Sequence, residues 1–202
     1  MPAGRFVVLG APLVTGTEVE LPAEVAHQVR DVLRLSAGDA LRLLDGAGGE
    51  FTARVVTLER QRVVVRVGAR MEDAAEEPVR VVLCQGMLKA AKFEWVLQKG
   101  TELGVTAFVP LVSERAVAAA ESTGEAKWQR WQRILIEAVE QCGATRLPVL
   151  AAPRPLDQLL AERPASSIAI LPWEVERTVA LRPALLEAIR AHGGIERVRE
   201  VR

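Results

Sequence analysis

Two predicted helices carry polar side chains that repeat every four residues. The repeats are Glu94, Gln98 and Glu102 in the helix Lys92–Leu103, and Arg133, Glu137 and Gln141 in the helix Lys127–Cys142. Because residues four apart share one face of a helix, each helix presents a polar face. Two such faces could build an acid–base pocket. They could equally be solvated faces supported by pairs such as Arg133–Glu137, and spacing alone favours this second interpretation.

A second candidate is Ser113-Glu114-Arg115, which directly follows the predicted strand Ala107–Val112. In an open α/β sheet, ligands bind at the carboxyl ends of the strands. Arg115 could therefore hold a phosphate through two parallel hydrogen bonds. An ordinary loop is as consistent with the pattern.

Arginines are frequent in the first third of the chain, before the predicted linker. Seven of them are expected to give this part of the chain a basic surface: Arg5, Arg30, Arg34, Arg42, Arg54, Arg62 and Arg66. Such a set could form a stripe that faces phosphates. A mixed, solvated surface explains the counts equally simply.

The elements that must position these residues change character along the chain. Up to about Met71 the pattern is of short strands and turns, with a hairpin predicted around Gly46–Gly49. His27–Leu35 is a short amphipathic segment, with Val29, Val32 and Leu33 on one face. Several short strands at close spacing predict a small β-barrel.

Residues 72–77 are acidic, small and non-periodic, and Pro78 follows them, which predicts a linker. After it, alternating strands and helices predict a parallel sheet covered by helices. The predicted strands are Val79–Cys84, Ala107–Val112 and Ser167–Leu171; the other predicted helices are Asp157–Ala161 and Pro183–Arg190. The predicted core positions are Phe93, Val96, Leu97, Gly100 and Leu103 on the first long helix, and Trp128, Trp131, Leu135, Ala138, Val139 and Cys142 on the second. Gly104 and Gly143 are the predicted helix stops.

Composition narrows the classes of protein to which the chain can belong. The 202 residues are 50% apolar and have a formal net charge of zero, so a nucleic acid would be met by a local patch. Cys84 and Cys142, like the two histidines, show no metal spacing, and two buried free thiols are expected. Since no apolar run is long enough to span a membrane, we expect a cytoplasmic protein without metal or membrane partners.

The motifs occur in the order typical of a known family. They are Arg5-Phe6-Val7; the stretch from His27 to Leu35 with Gly38-Asp39; Asp45-Gly46; the stretch from Lys92 to Val105; that from Pro110 to Arg115; and Trp131-Gln132-Arg133 with the stretch from Glu137 to Gly143, Arg146 and Pro148. Over roughly residues 5 to 190 the sequence resembles the RsmE family. These are the 16S ribosomal RNA uracil-N(3)-methyltransferases of the SPOUT, or trefoil-knot, class.

The resemblance implies an α/β protein with two domains. Residues 1–72 would form a PUA-like β-barrel that binds RNA, and residues 78–202 a SPOUT-type α/β domain with a parallel sheet. It further implies S-adenosylmethionine as cofactor, 16S rRNA or the small ribosomal subunit as partner, and a homodimer.

The resemblance also assigns site residues. Arg115 and Glu94 would be catalytic. The residues implied to bind RNA are Arg5, Arg30, Arg34, Lys92 and Arg146. Those implied to bind the cofactor are Leu171, Pro172, Trp173 and Glu174.

The sequence departs from the family pattern near its end. The family continues with a strand ending in a Gly-Pro-Glu-Gly-Gly loop, then a Leu-Gly…Ile-Leu-Arg…Glu-Thr loop and a knot helix. Ile195–Arg202 instead looks like a charged tail without strand character. We therefore expect a truncated knot region and no measurable binding of S-adenosylmethionine by these 202 residues.

Two functional hypotheses stay open. The first is an rRNA methyltransferase. The second is a non-catalytic RNA-binding or ribosome-assembly module that keeps the barrel and part of the α/β domain. A third, an unrelated nucleotide-binding α/β enzyme, is disfavoured because the sequence has no phosphate-binding loop motif.

Overall fold

The computed structural model describes residues 4–60, 62–71, 79–112, 124–172 and 174–202. The chain divides into two compact units. The first comprises Met1–Glu76 and Ile136–Leu147, and the second Glu77–Leu135 and Pro148–Arg202. The helices are α1 (Ala23–His27), α2 (Ala90–Glu102), α3 (Glu125–Cys142), α4 (Leu156–Ala161) and α5 (Leu181–Ala191). The end of α3 thus belongs to the first unit, whereas the predicted domain boundary assigns the whole helix to the second domain.

The first unit contains a five-stranded sheet in the order β1-β3-β4-β5-β2. Its strands are β1 (Arg5–Val7), β2 (Glu18–Glu20), β3 (Ala40–Leu44), β4 (Glu50–Leu58) and β5 (Val63–Arg70). Strand β1 runs parallel to β3, and the remaining pairs are antiparallel. The predicted hairpin around Gly46–Gly49 is confirmed as the connection of β3 to β4. Buried side chains from all five strands and from α1 form one core.

The amphipathic segment after α1 differs from its prediction. Gln28–Val32 form a π-helical turn, in which the N–H of Leu33 bonds to the carbonyl of Gln28 at 2.9 Å, five residues back. Val29 is fully buried, but Val32 and Leu33 are 64% and 40% exposed. The expected shared face was wrong because the wider π turn rotates these two residues away from the core.

The end of α3 packs on strand β1 within the first unit. Val7, Leu44 and Val139 are buried together there. The Glu140 carboxylate accepts the backbone N–H of Val7 at 2.8 Å, satisfying a donor that β3 does not pair. Burial raises the pKa of this carboxyl group, against the opposing effect of that hydrogen bond. Glu140 therefore satisfies a backbone N–H of an edge strand, although the burial of its carboxylate is electrostatically unfavourable.

The second unit is built on a sheet of parallel strands in the order β10-β11-β6-β7-β8, with β9 also paired to β7. Its strands are β6 (Arg80–Gly86), β7 (Ala107–Val112), β8 (Val149–Leu150), β9 (Arg154–Pro155), β10 (Ser167–Ile168) and β11 (Glu200–Val201). The predicted parallel sheet with covering helices is confirmed. The third predicted strand is shorter than expected, because only Ser167 and Ile168 keep strand geometry.

The prediction that Ile195–Arg202 lacks strand character was wrong. Glu200 and Val201 pair in parallel with Arg80 and Val81 of β6, and with β10 on their other side. Val198 is only 1% exposed, so it anchors the segment in the core. Glu200 is also buried, and its carboxylate contacts the guanidinium groups of Arg202 and Arg80. The two guanidinium groups compensate the charge of the buried carboxylate, so a segment rich in charged residues can still form a strand.

The two long helices confirm most of their predicted core positions. On α2, Phe93, Leu97 and Gly100 are buried, and a methyl group at Gly100 would lie 2.6 Å from the Phe108 ring. This close approach explains why a glycine occurs inside the helix. Leu103, however, is 85% exposed, because α2 ends at Glu102. On α3, Trp131, Leu135, Ala138 and Val139 are buried as predicted, and Trp128 is half-buried.

Both cysteines are free, but the expectation that both are buried was wrong. Cys142, the last residue of α3, is exposed, while Cys84 is half-buried. The helical period places Cys142 on the core side, but Gly143 ends the helix there with a φ of 86°. The core therefore stops before the last residue of the helix.

Candidate functional site

The parallel strands of the second unit bring several predicted site residues toward one edge of the sheet. Strand β6 ends at Gly86 and leads to α2, near whose start Lys92 and Glu94 lie. Strand β10 leads to Leu171, Pro172 and Glu174. Parallel strands share one direction, so their following loops lie on the same side, where ligands bind in open α/β sheets. Arg115 and Trp173 lie outside the described residues.

The segment after β10 offers an open surface. Leu171 is 81% exposed, and Pro172 and Glu174 are also exposed. The side chains provide apolar area and one carboxylate. Taken alone, these described residues form one wall and enclose no ligand, whereas ligand pockets usually bury most of their ligand.

Glu94 is held by an arginine that the sequence did not reveal. Its two carboxylate oxygens accept hydrogen bonds from Nε and a terminal nitrogen of Arg130, at 2.6 and 2.8 Å. The Glu94 side chain is 16% exposed and that of Arg130 is 67% exposed. Since this bidentate pair occupies both oxygens, it favours a role for Glu94 in positioning Arg130 over a role as a general base. The two residues are 36 positions apart, so no periodic signal could have linked them.

Arg130 stands beside an aromatic cluster. The rings of Phe93 and Trp131 pack with centroids 4.6 Å apart, and Lys127 Nζ lies 5.1 Å from the Trp131 ring centroid. Lys127 and Arg130 are three residues apart on α3, so they lie on neighbouring positions of one face. The second unit therefore presents Lys127 over the buried Trp131 ring, with the Glu94-bound Arg130 at a neighbouring position of the helix. Lys92, predicted to bind RNA, is exposed on α2.

Arg5, predicted to bind RNA, has an extensive set of internal contacts. Its guanidinium donates to both oxygens of Glu50, at 3.3 and 3.1 Å, and to the carbonyls of Gly143 and Ala144 beyond α3. Arg42 binds the same Glu50 carboxylate at 3.0 Å. The Arg5 side chain is only 18% exposed. These contacts favour a structural role for Arg5 over the predicted RNA contact.

Glu50 is consequently the shared counter-ion of two arginines. Its burial by itself raises the pKa of the carboxyl group, but the hydrogen bonds from Arg5 and Arg42 outweigh that effect and the pKa is lowered. The ionised form is therefore the one that stabilises the first unit.

Arg30 is also engaged within the first unit. It forms a bidentate pair with Asp31 and donates to the carbonyls of Glu59 and Arg60. The hydrogen bond from Arg30, reinforced by His27, lowers the pKa of Asp31 to about 2. With its side chain 26% exposed, Arg30 keeps only part of its surface available to a ligand.

Arg34 differs from both of these arginines. It is exposed, and its φ of 53° makes it the non-glycine residue with left-handed backbone among the described residues. A left-handed conformation costs an L-residue about 1–2 kcal/mol. Arg34 lies just after the π turn, and the N–H of Leu35 bonds to the carbonyl of Val29 at 3.0 Å, so its left-handed backbone ends this turn. The guanidinium is left exposed, and its contact with RNA stays a prediction.

Arg146 lies over the glycine-rich hairpin. A methyl group at Gly48 would be 3.0 Å from the Arg146 guanidinium, and Ala47 forms a β-bridge with Arg146. The side chain is exposed. The absence of a Cβ at Gly48, which has a φ of 111°, thus lets the guanidinium approach the turn closely.

No group of three or more His, Cys, Asp or Glu residues in the described part of the chain could hold a metal ion. Among the described helices, none is both long and apolar enough to cross a membrane.

Comparisons with known proteins agree with this arrangement. The family of RNA methyltransferase domains matches residues 75–194, and the RNA methyltransferase PUA domain matches residues 21–68. Ribosomal RNA small subunit methyltransferase E of Synechocystis is 35% identical over 158 residues, which cover 78% of this chain and 50% of that protein. The chain spans about half the length of the curated relatives it matches.

Solved structures give the same result. Ribosomal RNA small subunit methyltransferase E from Neisseria gonorrhoeae, bound to S-adenosyl methionine, has a TM-score of 0.78 and 30% identity, over 89% of this chain and 73% of that one. A Legionella pneumophila methyltransferase in complex with SAM has a TM-score of 0.74 and 31% identity, over 87% of this chain and 73% of that one.

The fold and these matches define the class: the chain belongs to the RNA methyltransferase family with a PUA domain. Within this class it belongs to the family of ribosomal RNA small subunit methyltransferase E.

Replacing Arg34 measures the energetic cost of its left-handed backbone. Arg34→Gly should raise the free energy of unfolding by about 0.5–1 kcal/mol, because glycine adopts positive φ without a steric penalty. Arg34→Ala, which removes the same guanidinium but keeps a Cβ, should leave stability within about 0.5 kcal/mol of wild type. Chemical denaturation measures both values. A destabilised Arg34→Gly variant would mean that the side chain makes a stabilising contact.

The shared Glu50 predicts a pH-dependent contribution to stability. Glu50→Gln should lose about 1.5–3 kcal/mol at neutral pH, because charge-assisted hydrogen bonds to two arginines are weakened. Since the folded-state pKa of Glu50 is lowered, this contribution is present above the unfolded value of about 4.3 and disappears as the pH falls through the folded pKa. Melting temperatures of both proteins should therefore converge in acid. A difference that stayed constant with pH would contradict the assignment.

Proposed function

We propose that the protein represented by this chain methylates ring nitrogen 3 of a uridine in 16S ribosomal RNA, with S-adenosylmethionine as methyl donor. The observation that carries the proposal is the family membership, together with the parallel sheet that directs Glu94 and the segment after β10 toward one edge. The position of the methyl group rests on the family resemblance. Location in the cytoplasm and a homodimer belong to the same proposal.

The residues after β10 fit one side of such a cofactor. Leu171 and Pro172 offer exposed apolar surface for an adenine ring, and Glu174 offers an exposed carboxylate that can accept hydrogen bonds from hydroxyl groups. Trp173 completes the proposed set. When bound, the cofactor supplies an electrophilic methyl group.

The protein's own task would be to orient the uracil and to lower the cost of losing its N3 proton, which would pass to solvent water. A cation close to the ring stabilises the negative charge that develops there. Arg115 is the proposed cation. Glu94 would act on this site through Arg130, which it holds in one orientation through a bidentate pair. Precise placement of the two reactants would supply much of the acceleration.

RNA binding would use Arg34, Lys92 and Arg146, which are exposed, with Arg30 contributing its accessible part. Because the net charge of the chain is zero, a polyanion would be attracted by exposed cations within each unit and not by the overall charge. Arg5 would stabilise the first unit through its contacts with the Glu50 carboxylate and with the carbonyl of Ala144 after α3.

A chimera tests the reaction. Residues 1–202 should replace the matching part of the Neisseria relative, and mass spectrometry of reacted 16S rRNA should detect N3-methyluridine. Arg115→Ala should reduce the methylation rate by about 10²-fold or more without a change in melting temperature. The control is Glu125→Ala, which removes an exposed carboxylate that pairs with Gln129 on α3, and should react normally. A chimera that binds RNA but transfers no methyl group would favour the non-catalytic module instead.

Calorimetric titration tests the cofactor site of the 202 residues themselves. Because the described residues provide only one exposed wall, we expect no saturable isotherm with S-adenosylmethionine. The Neisseria relative, titrated in the same buffer, is the positive control. A clean one-site isotherm for this chain would contradict the expectation and would assign further cofactor contacts to residues 113–123 or Trp173.

A further inference from the structure

A groove of about 470 Å³ lies on the five-stranded sheet of the first unit, on the exposed face of β3, β4 and β5. Three arginines line it, one from each strand: Arg42, Arg54 and Arg66. Between them lie Thr52 and Gly68, together with the backbone of buried apolar residues. All three belong to the arginine set for which the sequence left a phosphate-facing stripe open, but none is among the residues that the resemblance implies to bind RNA.

A β-bulge gives the groove its shape. Phe51 pairs with Arg70 and Ala53 with Val67, so the single residue Thr52 lies opposite two residues of β5, Gly68 and Ala69. Bulges of this kind bend the strand and redirect neighbouring side chains. A Cβ at Gly68 would lie 2.4 Å from Thr52 Oγ1. A larger residue at this position would therefore collide with Thr52 and fill part of the groove.

Positive charge is in excess at this groove. Arg54 lies directly opposite Arg66 in the β4–β5 ladder, an arrangement that is unfavourable for like charges. Arg66 pairs with Glu18 at 2.8 Å, but both side chains are largely exposed, at 62% and 46%. Arg54 donates to the Gly38 carbonyl and has no carboxylate partner among the described residues. Glu50 is divided between Arg42 and Arg5.

These features define the chemistry of a ligand. Guanidinium groups on adjacent strands match the oxygens of an extended polyanion. The lining residues include no aromatic side chain on which a base could stack, so a contact with the backbone is favoured over readout of single-stranded bases. The groove also lies within the part of the chain that matches the PUA domain, residues 21–68, apart from Met71.

We infer that this groove holds the phosphate backbone of folded RNA, with Arg54 and Arg66 as its principal contacts and Arg42 at its side. The inference rests on the proposed function for its ligand, since it assigns the surface by which an RNA substrate is held. It is independent of the cofactor site and of the residues proposed for methyl transfer.

The test measures binding of a folded 16S rRNA hairpin to the full chain over a salt series. The double variant Arg54→Ala/Arg66→Ala should bind about tenfold more weakly, and its plot of log K against log salt should be shallower by about 2. Arg62→Ala is the matched control, because Arg62 is exposed beside the same sheet and pairs with Glu20 outside the groove. It should change the affinity less than about twofold. Arg54→Lys/Arg66→Lys keeps both charges and should retain most of the affinity.

Three outcomes would overturn the inference: unchanged affinity and salt slope in the double alanine variant, equal losses in the double variant and in Arg62→Ala, or groove-dependent binding of polyglutamate without binding of the hairpin. The last would indicate an acidic protein partner. The melting temperature of each variant, measured in parallel, separates a lost contact from a lost fold. Groove-dependent RNA binding combined with an inactive chimera would support this inference while contradicting the proposed reaction.

Discussion

The arrangement of the second unit depends on a single hydrogen-bonding constraint, the parallel pairing of β6. Its first two residues pair with β11, and its last five pair with β7. Because all these strands run in one direction, the chain must return across the sheet after each of them, and the loops that follow the strands lie toward one edge. Two distant parts of the sequence reach that edge. One is the start of α2, with Lys92 and Glu94, and the other is the segment after β10. A site with this composition is therefore a consequence of topology more than of any local motif.

In the first unit, the contacts of each arginine distinguish those that stabilise the fold from those whose side chains remain available to a ligand. Arg5 joins β1 to Glu50 and to the carbonyls beyond α3, and Arg30 joins the π turn to the carbonyls of residues 59 and 60. Arg34 and Arg54 have no carboxylate partner in the described part of the chain. The sequence shows how many arginines this unit has, but it does not show which of them are paired. The reason is that strand register determines which carboxylate each arginine meets. Arg5, which is predicted to bind RNA, belongs by its contacts to the arginines that stabilise the fold.

The parts of the fold that sequence predicted are those set by local patterns. Apolar periodicity located α2 and α3, the glycines after them marked their ends, and the glycine-rich turn marked the β3–β4 hairpin. Prediction failed where a distant contact overrides the local pattern. The π turn at Gln28–Val32 reverses the exposure expected for Val32 and Leu33, and Glu200 enters the sheet because Arg80 and Arg202 neutralise it. The Glu94–Arg130 pair belongs to the same group, since it joins two helices through side chains with no common period.

Two features of the first unit carry a local energetic cost. Arg34 keeps a left-handed backbone that glycine would adopt freely, and Arg54 faces Arg66 across a ladder in which a neutral residue would relieve repulsion. Arg34 ends the π turn, because the N–H of Leu35 bonds to the carbonyl of Val29 at 3.0 Å across it. Side-chain packing does not explain the Arg54–Arg66 pair, because both side chains are exposed. Local choices that conflict with stability are expected where a ligand compensates for them. A polyanion would do so at Arg54 and Arg66 by supplying negative charge between the two guanidinium groups. The like-charge pair is therefore the feature of this unit that the inferred RNA ligand would compensate, whereas the left-handed Arg34 is explained by the end of the π turn.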